Sequence, residues 1–143
     1  MWLLGLALVV AVASSRSQAA PPWILDAWIA AAGGRSTREQ LSLVAGPIPI
    51  ESWAGRIAIS PDALQPLLPC DERGRYVGTL FLIGHECGHH PRHRDDAGEE
   101  LRADEHAGGI LRSSGVTIEE IDRAIVPMLG TEITNSHGDP ALR

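Results

Sequence analysis

Apolar residues in this chain first run together and then recur at set intervals, and the intervals predict its elements. Trp2 to Ala13 is a continuous apolar run of about a dozen residues, short for a bilayer span and suited to the core of a signal peptide. After Pro21-Pro22, the residues Trp23, Ile24, Ala27, Trp28 and Ala31 fall at helical spacing until Gly33-Gly34. They predict a short amphipathic helix with the tryptophans as packing anchors. Ser36 with Glu39 three residues on has the form of a capping box and predicts a second helix through about Val44, which Gly46-Pro47-Ile48-Pro49 breaks. Ile48 to Trp53 and Arg56 to Ser60 are short and rich in aliphatic residues, with Ala54-Gly55 between them. They predict two strands joined by a turn. Ser60 and Pro61 then suit the cap and first turn of a helix over Pro61 to Leu64.

The longest patterned segment predicts a helix from about Asp71 to His90. Tyr76, Leu80, Ile83 and Cys87 mark one stripe for the core, and His85 and His89 mark another that faces a cleft. Pro91 ends it, because the residue before proline is driven out of the helical region. A charged connection leads to a helix from about Glu99 to Arg112, with Leu101, Ala107, Ile110 and Leu111 for packing and Gly115 as its stop. Ala103 and Ala107 are small enough for a close helix–helix approach. Thr117 and Glu120 form another capping box, opening a helix whose core positions are Ile118, Ile121, Ile125 and Met128. The expected fold class is α+β: mainly helical, with a short sheet beside the long helix.

Composition narrows this further. A chain of 143 residues makes one domain, and 44% hydrophobic with 21% charged residues is ordinary for a globular chain. The formal net charge of −6 argues against a nucleic-acid partner. Small residues at Ser17 and Ala19 suit signal peptidase, so residues 1–19 read as a signal peptide and residues 20–143 as the domain. The expected location is therefore exported, periplasmic or secreted. The alternative is an uncleaved N-terminal segment that anchors the chain or associates transiently with a membrane.

The candidate chemistry lies in Gly84-His85-Glu86-Cys87-Gly88-His89-His90, an H-E-x-x-H motif entered from an apolar run. Histidines four apart leave one helical face a turn apart and can close on a single cation, while Glu86 reaches the metal's open side as a proton acceptor. Glu100 and Asp104, again four apart, lie on the next predicted helix. Glu100 would supply a third ligand, and Asp104 would hydrogen-bond the far nitrogen of a ligand histidine. Asp95 ranks below Glu100, since the zinc pattern that would use it needs glycine where this chain has Arg92. Pro91 spoils a His89/His93 pair, and His90, His93 and His106 read as surface residues. Cys70 and Cys87 either pair after export or, on the favoured reading, stay apart, with Cys87 filling core space.

These two motifs together resemble the gluzincin pattern, H-E-x-x-H followed by E-x-x-x-D. The wording around them, with Glu100-Leu101-Arg102-Ala103-Asp104-Glu105-His106-Ala107-Gly108, is similar to the CAAX-prenyl-protease family and its small bacterial periplasmic relatives. The likeness runs over roughly residues 45 to 126, with Cys87 standing where that family has an aliphatic residue. The resemblance implies a minimal gluzincin-like domain holding Zn2+ through His85, His89 and Glu100, with Glu86 as general base and Asp104 behind a ligand histidine. It further implies that Arg56 to Ser60 is an edge strand that binds extended peptide, and that His137 in the tail helps hold the transition-state oxyanion. The function expected is an exported zinc-dependent metalloendopeptidase acting on a peptide or protein substrate. The alternative is a non-catalytic relative that binds zinc structurally or holds a peptide uncut.

Overall fold

The computed structural model describes residues 19–32, 40–53, 56–89 and 97–130. At its centre is a helix over Glu72–Gly88, whose ten consecutive residues from Val77 to Glu86 are all buried. A helix apolar around its whole circumference needs partners on every side, and this one has them. It packs against helices at Pro22–Ala32, Ala97–Ser113 and Ile118–Ala124 and touches the sheet. In chain order the helices are α1 (Pro22–Ala32), α2 (Pro61–Leu64), α3 (Glu72–Gly88), α4 (Ala97–Ser113) and α5 (Ile118–Ala124), with 3-10 turns at Gln65–Leu67 and Val126–Gly130. The strands are β1 (Gln40–Leu43), β2 (Ile50–Trp53) and β3 (Arg56–Ile59). The fold is a small α+β arrangement, as the sequence pattern predicts.

The helix predicted through Val44 is not formed at its end, where residues 40–43 make β1. Ser36 and Glu39 lie outside the described residues, but the reason for the strand is visible. Leu41 and Leu43 alternate about Ser42, a period of two, and both pack on the core once the segment pairs in parallel with β3. Pairing across the sheet decides the conformation of residues 40–43.

The sheet order is β1-β3-β2, with β3 parallel to β1 and antiparallel to β2. This corrects the edge-strand expectation: Arg56–Ile59 is the central strand, and Ile57, Ala58 and Ile59 are buried accordingly. The strand at the edge next to α3 is β2. Trp53 pairs with Arg56, and the predicted turn at Ala54-Gly55 lies outside the described residues. Ser60 occupies the N-cap of α2 with Pro61 after it, but its hydroxyl does not cap; it donates to the Gly46 carbonyl at 2.8 Å and ties the β1–β2 connection to α2.

Asp71 caps α3 by accepting from the Gly74 amide at 2.8 Å. The helix ends at Gly88, two residues earlier than predicted, and His89 is extended at φ −68° and ψ 130°. Gly115, at φ 71°, closes α4 in a Schellman turn: the Val116 amide bonds the Leu111 carbonyl and the Gly115 amide bonds that of Arg112, both at 3.1 Å. The Thr117–Glu120 capping box is formed in full. Two packing expectations fail. Leu101 and Ile118 are 48% and 72% exposed, because α4 turns Ala103 and Ala107 to α3 instead, and Val116 is the residue buried at the start of α5. Trp23, Ile24 and Ala27 carry the α1 contact, as expected.

Candidate metal centre

How near α3 and α4 approach is set by two glycines facing two alanines. A Cβ built on Gly84 would lie 3.1 Å from Ala107 Cα, and one on Gly88 would lie 2.7 Å from Ala103 Cα. The approach at Gly88 is closer than real Cβ atoms make and that at Gly84 is tighter than nearly all of them, so glycine is what lets the two helices meet at their backbones. The contact brings the first turns of α4 beside the last turn and a half of α3. Glu99 and Glu100 thus come to His85 and His89, and all four are buried.

His85 Nε2 and His89 Nε2 lie 3.0 Å apart. Glu100 sits across them, with Oε2 at 3.3 Å from His85 Nε2 and Oε1 at 3.7 Å from His89 Nε2. Donors on one tetrahedral ion with bonds of about 2.0–2.1 Å are separated by about 3.3 Å, so these spacings fit one small cation between two imidazoles and a carboxylate. His85, Glu86 and His89 each offer an atom within 4.8 Å of the others, a group able to hold a metal ion. Although His89 has left the helix, its ring still stands 4.6 Å from that of His85, edge to face.

The far nitrogen of His85, Nδ1, is 2.8 Å from Asp104 Oδ1. With Nδ1–H donating to that carboxylate, Nε2 carries the lone pair a metal needs. On the corresponding side of His89, Nδ1 lies 4.0 Å from Glu99 Oε1, too long for a hydrogen bond, and Arg102 holds Glu99 Oε2 at 2.6 Å. Glu86, Glu99 and Glu100 are each more than nine-tenths buried. Arg102 pairs with Glu99, and a cation between the histidines would offset the charge of the carboxylates beside them.

The sequence reading missed two residues here. Glu99 was passed over for its neighbour. Ser52 on β2 donates to Glu86 Oε2 at 2.5 Å and so links the sheet to the motif. Its signal was a small polar residue on the inward side of an alternating strand: Ile50 is buried, Glu51 exposed and Ser52 half-buried. Cys70 and Cys87 form no disulfide; Cys87 packs partly buried against the core, the favoured expectation. His106 is exposed on α4. His90, His93, Asp95, His137 and the signal segment lie outside the described residues. No described helix is long and apolar enough to cross a membrane.

No protein-family model matches the chain, and neither the curated proteins nor the solved structures compared with it give a match. The functional reading therefore rests on the residues themselves.

Proposed function

We propose that this chain is an exported zinc-dependent metalloendopeptidase of the gluzincin type, with His85, His89 and Glu100 as ligands and Glu86 as general base. One observation carries the reading: two imidazole nitrogens and a carboxylate converge at 3.0, 3.3 and 3.7 Å, with a Glu86 oxygen within 4.8 Å of both histidines. Two nitrogens and one oxygen suit zinc, and three protein ligands leave a fourth position open. When bound, zinc polarises the scissile carbonyl and lowers the pKa of its water to about 7.

The protein's own groups do the rest. Asp104 fixes the His85 tautomer. Glu86 accepts a proton from the attacking water as oxygen bonds to the carbonyl carbon, then delivers that proton to the amide nitrogen as the C–N bond breaks. A carboxylate beside the metal has this use in hydrolysis and none in a structural site. β2, at the sheet edge beside α3, supplies backbone groups along which an extended peptide can lie as an added strand.

The test is hydrolysis of labelled casein by the zinc-loaded chain, with and without chelator, beside Glu86→Gln. The expected result is chelator-sensitive cleavage and a variant that keeps zinc but loses at least about a hundredfold in rate. A chain that binds zinc and does not cut, or a variant that cuts at the wild-type rate, contradicts the peptidase reading. The first of these outcomes favours the non-catalytic alternative.

A further inference from the structure

We infer that Ser52 is a positioning residue for Glu86, a role that rests on the peptidase reading for its catalytic consequence but not for its geometry. Ser52 lies on β2, opposite Ile57 of β3, and reaches across from the sheet to a helix 34 residues further along the chain. Its hydroxyl has one short partner, Glu86 Oε2 at 2.5 Å, in the range of an O–H donating to an ionised carboxylate. Glutamate has three side-chain torsions, and a base that wanders among rotamers spends little time aimed at its proton. Holding Oε2 from the sheet restrains those torsions and keeps the carboxylate beside the two histidines.

The same bond serves the second half of the cycle. Once Glu86 has taken the proton from water, Ser52 still donates to Oε2 and keeps the carboxyl group in place until the amide nitrogen takes that proton. Ser52 itself neither gains nor loses a proton. Because it sits on the edge strand, a peptide lying along β2 and the base that acts on it are referred to one rigid element.

Three variants separate positioning from mere support: Ser52→Ala, Ser52→Thr, which keeps the hydroxyl on a β-branched side chain suited to a strand, and Glu86→Gln. The readouts are zinc stoichiometry, acetohydroxamate affinity of the zinc-loaded protein by calorimetry, and kcat and KM on labelled casein. A hydroxamate bound to the metal donates a hydrogen bond to the base, so its affinity reports the base's aim without any turnover.

Ser52→Ala is expected to bind one zinc, to lose about tenfold in hydroxamate affinity, and to lose about ten- to a hundredfold in kcat with KM little changed. Ser52→Thr is expected to restore both. If Ser52→Ala binds hydroxamate as tightly as wild type, the inference is overturned. It is equally overturned if Ser52→Thr is as impaired as Ser52→Ala, since the hydroxyl is then not what matters. Should casein remain uncut by wild type while hydroxamate affinity still tracks the hydroxyl, the peptidase reading falls and the positioning role stands. A wild-type chain that binds no zinc overturns both.

Discussion

Gly88→Ala puts one methyl group where α3 meets α4. The new Cβ would lie 2.7 Å from Ala103 Cα, 3.0 Å from His106 Cβ and 3.1 Å from the Ala103 carbonyl oxygen. Two of these are backbone atoms, which no rotamer change can move, and optimal carbon contacts lie at about 3.5–4.0 Å. Relief requires α4 to withdraw by roughly 1 Å. Glu100 is one turn from Ala103 on that helix, so its oxygens, now 3.3 and 3.7 Å from the histidine nitrogens, move out of register with a tetrahedral ion. Overpacking costs about 1–3 kcal/mol, against which alanine's better helix propensity returns about 0.5–1 kcal/mol. Zinc affinity, by competition with a chromophoric chelator, is expected to fall about ten- to a hundredfold. Calorimetry should show a lower Tm by a few degrees. Gly108→Ala is the control: that position is also in α4, nothing lies within 4 Å of its added Cβ, and the expected effect is a slight rise in Tm with unchanged zinc affinity. A Gly88→Ala protein that binds zinc as wild type and melts no lower would refute the argument that glycine sets the spacing of the site.

Asp104→Asn keeps the shape and removes the charge behind His85, and is expected to weaken zinc binding about ten- to a hundredfold, whereas exposed Glu105→Gln leaves it unchanged; equal affinities in the two variants would deny Asp104 its role. Glu120 is lowered from 4.5 to about 2, first by the Arg73 hydrogen bond and then by the Thr117 amide. Its folded value lies below its unfolded one, so its stabilisation is complete above about pH 4.5 and is lost as pH falls towards 2. Glu120→Gln, which can still close the capping box, is expected to lower Tm at pH 6 by an amount that shrinks steadily below pH 4.5. A difference that persists undiminished at pH 2 would contradict the pairing.

Much of the site was legible because local rules place it. Histidines at 85 and 89 and carboxylates at 100 and 104 share a face by helical spacing, and Ala103 and Ala107 are small enough for the two helices to come close, whereas the glycines they face, Gly84 and Gly88, were not read as part of that contact. The start of α5 was readable because its cap is self-contained, the Thr117–Glu120 box. What was not legible depends on pairing between distant segments. Gln40–Leu43 becomes a strand because β3 offers it a parallel partner, and Arg56–Ile59 becomes central because β1 covers its second edge. Ser52 meets Glu86 only once the sheet is laid beside α3, a contact between residues 34 apart that no helical period encodes. His89 lies past the end of α3 yet keeps its place, since Glu99 and Glu100 of α4 flank it where the helix no longer does.

On the proposed function, His85, His89 and Glu100 hold one metal ion between two helices. This is tested most directly by elemental analysis of the purified chain after zinc loading and dialysis, beside Glu100→Ala. About one zinc per wild-type chain is expected, lost or sharply weakened in the variant. A folded wild-type chain that retains no zinc, or a Glu100→Ala chain that retains as much as wild type, would contradict it.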